Sequence, residues 1–226
     1  MLVANWPVTT RQGVNFEVSS HRLPLYLKAF EFLSRSAQYQ QVAAEITRAS
    51  STDEQRAVAV FDWTSRRIMR TPDGWPIVDD HILNIIIRGY GTNDQRADVF
   101  ATLLTYAGVP AFWQKMRAPE AHEGIILTFV LVDGRWRVVD VANELLFRNV
   151  RGELATLEEL TSTPALVAAA GGAITIGTTP YPDVIAGLRM PAVPQTLRAE
   201  LQMPGRRVLY EAKRALGWGR TDGTER

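Results

Sequence analysis

The sequence predicts an α+β fold in which a helical N-terminal half packs against a small antiparallel sheet. Three observations lead there. Apolar residues recur at helical spacing through about 24–49, 52–68 and 93–107. The pattern then changes to strands at about 110–117, 124–132 and 135–141. The last two strands are joined by "VDGRW", in which Asp133-Gly134 is a strong tight-turn signal.

Taken in order, "GVNFEVSS" (13–20) reads as a short strand with Val14, Phe16 and Val18 inward. A helix or helix pair from Pro24 to Ala49 carries Tyr26, Phe30, Leu33 and Ala37 along one face. In "SSTDEQRAVAVFDWTSRRIMRTP", Thr52 and Gln55 form a capping box, and acids crowd the first turn. Arg66, Arg67 and Arg70 crowd the last turn, and Pro72 ends the helix. Its buried stripe is Ala57, Val60, Phe61, Thr64 and Ile68. Residues 72–92 connect, with a short apolar helix or turn near 81–87. The helix over 93–107 buries Ala97, Phe100, Ala101, Leu104 and Ala107, and Gly108 supplies a left-handed cap. A further short strand falls near 144–149.

Residues 1–160 are expected to form one domain with its core at about 50–145. The Ala/Gly/Pro-rich stretch "TSTPALVAAAGGAITIGTTPYPDVIAGLRMPAVPQ" lacks a core-sized apolar periodicity. It reads as an arm that wraps the same domain over 161–226. A last helix, "MPGRRVLYEAKRALGWG", has Val208, Leu209, Ala212, Ala215 and Leu216 on its apolar side, and reads as docked. The final "GRTDGTER" is expected to be disordered.

With 226 residues, 46% hydrophobic, the chain can build one substantial core. Lysine and arginine total 25 against 24 acids, so nothing electrostatic points to a nucleic-acid partner. There is no cysteine, which excludes disulfides, zinc–thiolate sites and thiol catalysis. "MLVANWPVTTRQGVNFEVSS" lacks the basic and apolar regions of a secretory leader. No run approaches the roughly 18 apolar residues of a membrane span. A soluble, cytoplasmic protein is expected; the oligomeric state is open.

A helix ending in "FDWTSRRI", then "RGYGTNDQRADVFATLLTYAGVPA", then the hairpin "ILTFVLVDGRWRVVDV" together resemble the transglutaminase-like superfamily of papain-like cysteine enzymes. The resemblance spans roughly residues 50–145. It implies a papain-like core with a catalytic cysteine at the start of the central helix, a histidine on one hairpin strand and an aspartate on the next. The cysteine position falls on Asn93, the histidine position on Ile125 or a neighbour, and the aspartate position on Asp140. His122 lies three residues before Ile125. That chemistry needs a thiolate stabilised by an imidazolium and by the helix N-terminus, and a carboxamide cannot replace it. Asn93 instead suits a helix start, as N-cap or polar contact, beside a Thr92–Gln95 capping box. Asp94 complements the helix dipole.

The leading expectation is therefore a catalytically inactive transglutaminase-like protein, a pseudoenzyme, that keeps the cleft to bind a peptide, protein or glycan-linked partner. Its cleft would contain Asn93, Asp94, Ile125, Asp140, Trp113, His122 and Trp75. A helix N-terminus in that position favours a carboxylate ligand. Trp113 and Trp75 lie beside polar loops, as pocket aromatics do, whereas Trp63 and Trp136 sit in core-like patterns. One alternative is an active non-thiol hydrolase or acyl transferase. It would use His122 with Asp140 or Asp94, and Thr92 or a water as attacking group. Another is a scaffold whose working surface is the C-terminal arm. No cofactor is expected. His21, His81 and His122 lack metal-ligand spacing, "DDH" at 79–81 is a poor chelate, and "RGYG" is not a phosphate loop.

Overall fold

After one short 3-10 turn (Val3–Asn5), two strands precede the first described α-helix. β1 (Pro7–Val14) and β2 (Glu17–Pro24) pair antiparallel, and the chain turns between them at Asn15 and Phe16. Both turn residues have positive φ, 47° and 68°. This is the geometry of a two-residue hairpin turn, easy for asparagine and unusual for a bulky side chain. The single inward-facing strand expected over 13–20 is thus a hairpin tip, and Phe16 stands 87% exposed. The structure, a computed structural model, describes residues 3–79, 81–118 and 123–216.

α1 (Leu25–Ile46) packs through Ser36, Tyr39 and Ala43. The stripe expected to be its face, Tyr26, Phe30, Leu33 and Ala37, is exposed instead, with Phe30 at 66%. Periodicity specifies a stripe but not which neighbour arrives to cover it. The Tyr39 hydroxyl accepts from the Leu83 N–H at 3.0 Å, and burial pushes its pKa up to about 12. α2 (Asp53–Arg67) starts at the Thr52–Gln55 box and buries Ala57, Val60, Phe61 and Thr64. Next come β3 (Met69–Arg70), β4 (Val78–Asp79), α3 (Ile82–Arg88) and β5 (Tyr90–Gly91). β3 pairs parallel with β5, and β4 pairs with β1 through Gly13–Asp79 and Val14–Val78.

α4 (Asn93–Tyr106) is buried over most of its length, and Gly108 follows it at φ 89°. It lies on one face of a sheet ordered β6 (Ala111–Met116), β7 (Ile125–Val132), β8 (Arg135–Asp140), β9 (Leu145–Leu146), antiparallel throughout. The β7–β8 turn is Asp133-Gly134, with φ 49° and 74°.

Both faces of this sheet are covered. Phe100, Leu103 and Leu104 of α4 meet Val130, Val132 and Val139 on one side. Ile125, Leu127, Phe129 and Val138 meet the C-terminal segment on the other. That segment contains α5 (Leu157–Ser162), α6 (Pro164–Gly171), a small ladder of β10 (Thr175–Ile176) with β11 (Thr179–Pro180), and α7 (Tyr181–Ala186). It builds a second core with Leu160, Val167, Tyr181, Val184 and Ile185. The stretch read as an arm without core periodicity therefore supplies one side of a core. Its elements are so short that each adds only two or three apolar residues. α8 (Pro204–Ala215) contains no fully buried residue. The tail expected to be disordered lies outside the described residues. Among the described residues, no helix is long and apolar enough to cross a membrane.

Phe100→Ala is expected to cost about 3–5 kcal/mol of stability, and Leu209→Ala, on exposed α8, less than about 0.5 kcal/mol. Urea unfolding of the two variants checks the contrast.

Candidate functional site

The start of α4 is a built corner. Thr92 and Gln95 take up the capping-box arrangement, and Gln95 Oε1 accepts from the Thr92 N–H at 3.2 Å. The Thr92 hydroxyl donates to the Asp94 carboxylate. Gln95 is held from its other side, with Nε2 donating to the Val78 carbonyl at 2.6 Å and Oε1 accepting from Arg88 at 3.0 Å. Thr92 is the N-cap, so Asn93 is the first helical residue rather than the cap. The Asn93 Oδ1 is buried and finds no hydrogen-bond partner among the described residues. Arg96, almost fully buried, reaches the loop after β8, donating to the Ala142 carbonyl (3.2 Å) and to Glu144 (2.6 Å).

Beside this corner lies a cleft of about 600 Å³. It is lined by Thr92 at the cap and by Asp94, Gln95 and Asp98 of α4, with Trp113 of β6. Ile77, Asp79 and Ile85 form another wall, the hairpin contributes Gly13, Phe16 and Val18, and Arg198 closes one end. A second hollow of about 310 Å³ continues along Ala101, Phe112 and Lys115, and shares Asp98, Trp113 and Arg198.

Those three shared residues form the chemical centre. Asp98 is only 6% exposed. Its Oδ1 accepts from the Trp113 indole N–H at 3.1 Å, and its Oδ2 meets Arg198 at 2.9 Å. The guanidinium sits 5.9 Å from the centre of the Trp113 ring, a cation–π distance. Burial pushes the Asp98 carboxyl above its ordinary value, and the Arg198 charge and Trp113 N–H pull it part of the way back. The cleft thus has three carboxylates, Asp79, Asp94 and Asp98, against the cation Arg198. Side-chain carboxylates thus stand where the helix N-terminus alone would attract an anion.

Of the residues named from sequence, Asp94 and Trp113 line this cleft. Asn93 adjoins it but is absent from its lining among the described residues. Trp75 is half exposed and packs edge-on against Tyr90, with ring centres 4.9 Å apart, outside the described lining. Ile125 and Asp140 are on the opposite face of the sheet, in the second core. Asp140 is fully buried there. It accepts from the Asn143 backbone N–H (2.9 Å), from Asn143 Nδ2 (2.8 Å) and from the Tyr181 hydroxyl. Burial lifts its carboxyl above the usual range, with those donors opposing. The Tyr181 phenol is driven far up by burial and by the neighbouring carboxylate. Asp140 is not part of the described lining of the cleft. His122 lies outside the described residues. Among the described residues, no group of three potential ligands could hold a metal ion.

Asp98 and Arg198 were not singled out from sequence. Asp98 did leave a signal: it is an acid inside the run Ala97–Leu104, otherwise buried and mostly apolar, four residues after Asp94. Arg198 left none, because it reaches Asp98 across a hundred residues of chain.

No family model matches the chain. No curated protein matches it. Three solved structures are similar over part of it. A candidate protease from Parabacteroides distasonis ATCC 8503 is 15% identical over 46% of this chain and 23% of its own, with a TM-score of 0.39. A candidate cysteine protease from Cytophaga hutchinsonii is 14% identical over 53% and 40%, with a TM-score of 0.42. A structure described as a TGase is 11% identical over 59% and 43%, with a TM-score of 0.37. Each likeness spans less than half of the other chain.

Because folding raises the Asp140 pKa, the folded state binds its proton more tightly than the unfolded chain does. The stability this group contributes is present at low pH and is lost as pH rises through the folded value. Tyr181→Phe removes a donor to the ionised form. The variant should lose about 1–3 kcal/mol at pH 7 and less near pH 4, as measured by urea unfolding at both pH values.

Proposed function

We propose that this chain is a transglutaminase-like domain without thiol chemistry, and that its cleft binds a peptide or protein segment through a cationic side chain. The order of elements supports the family reading: α4 begins at the Thr92–Asn93 corner and lies on an antiparallel sheet whose central hairpin follows it. Absence of a cysteine supports the part of the reading that excludes thiol chemistry. The carboxamide of Asn93 occupies the family's thiol position, and the aspartate that would orient a histidine is consumed by Asn143 and Tyr181.

The observation that carries the ligand class is the Asp98–Trp113–Arg198 cluster. A nearly buried carboxylate beside an indole face is a cradle for a guanidinium or alkylammonium group, and Arg198 already lies in it. Its side chain is 67% exposed, so only its tip is engaged. A ligand cation takes the same place as Arg198 swings out. Phe16, Val18, Ile77 and Ile85 supply apolar surface for the remainder of an extended segment.

Calorimetric titration with acetyl-Ala-Arg-Ala-amide and its glutamate counterpart tests this reading. Binding of the arginine peptide is expected. It should weaken roughly tenfold or more in Asp98→Asn, which loses a charge-assisted bond, and strengthen in Arg198→Gln, which removes the internal competitor. Affinity should fall as pH drops through the raised Asp98 value, because protonation removes the anion. Preference for the glutamate peptide, or equal binding by Asp98→Asn, contradicts the proposal.

A further inference from the structure

α8 presents its apolar side to water. Val208 is 69% exposed, and Leu209 and Leu216 are also uncovered. These residues, with Ala212 and Ala215, recur on one side of a helix that buries nothing. The same helix carries Arg206, Arg207, Lys213 and Arg214 against one acid, Glu211. Glu211 is shared by Arg207 (2.7 Å) and Arg214 (3.7 Å), and Arg206 lies 3.8 Å from Glu200. The helix is not free to tumble. The Tyr106 hydroxyl donates to the Gln202 carbonyl at 2.7 Å and pairs with the Ser36 hydroxyl at 2.8 Å. This fixes the approach to α8 against α1, whose Phe30 and Leu33 are likewise uncovered.

An apolar stripe bordered by arginine and lysine on a short, strongly amphipathic helix suits the boundary between headgroups and acyl chains. The basic border selects the charge of that surface. We infer that α8 is a peripheral membrane anchor, lying in the plane of an anionic bilayer with Val208, Leu209 and Leu216 among the acyl chains. The excess of cations on α8 argues against burial on a second copy of itself, where these charges would face their like. The cleft is separate from this surface, and the inference stands whatever the cleft binds.

The test is flotation of the full chain with phosphatidylcholine vesicles, with and without phosphatidylglycerol. The expected result is binding to the phosphatidylglycerol vesicles alone, weakening as salt is raised. The double variant Val208→Asp/Leu209→Asp should lose roughly a hundredfold in partitioning, and Lys213→Glu/Arg214→Glu about tenfold or more. Because α8 buries nothing, both variants should keep the parent circular dichroism spectrum. Absence of binding to anionic vesicles overturns the inference, as does equal binding to neutral ones. So does a concentration-dependent dimer, seen by light scattering and abolished by Val208→Asp/Leu209→Asp, since the stripe then serves a second copy.

Discussion

A carboxylate taken out of water has to be met by donors or by an opposite charge, and among the described residues two are buried. Asp98 lies on α4 and Asp140 at the end of β8, on opposite faces of one four-stranded sheet. Each takes a partner from the last third of the chain: Arg198 for Asp98, and Tyr181 for Asp140. These two contacts, with the second core around Val167, Tyr181 and Ile185, hold the C-terminal segment against the sheet. They also divide the labour between the two acids. Asp140 is closed off, with three donors and no exposure. Asp98 is barely exposed yet borders open space, and its cation partner is itself mostly exposed.

The start of α4 is rigid because Thr92, Gln95, Arg88 and Arg96 bind it to the segments around Val78 and Ala142. Such rigidity positions a nucleophile where there is one, and positions a recognition surface equally well where there is none. With Asn93 at the first helical position, what remains beside the corner is a preformed cavity. Its carboxylates and indole are fixed by the helix and strand that carry them.

Much of the fold was legible in the sequence. The strong local signals gave α2 with its cap, α4 with Gly108, and the Asp133-Gly134 hairpin, because these depend on residues a few positions apart. The failures share a cause. Phe16 in a left-handed turn, the uncovered stripe of α1 and the bare face of α8 all depend on what does or does not arrive from elsewhere. The cleft follows the same rule. Asp94 and Trp113 could be named from local context, but the Asp98–Arg198 pair joins residues a hundred positions apart. Ile125 and Asp140 were placed in the cleft from the order of the hairpin strands, yet strand alternation turns both to the face away from α4.

The most direct measurement is the NMR signal of the Trp113 indole N–H, the proton that points at Asp98. The account predicts that adding acetyl-arginine amide shifts this resonance saturably, together with the Arg198 Nε signal as that side chain is displaced. It also predicts no such response to acetyl-glutamate amide. An indole signal that ignores the arginine ligand, or moves equally with the acidic one, would contradict the claim that this carboxylate–indole cradle is a cation-binding site.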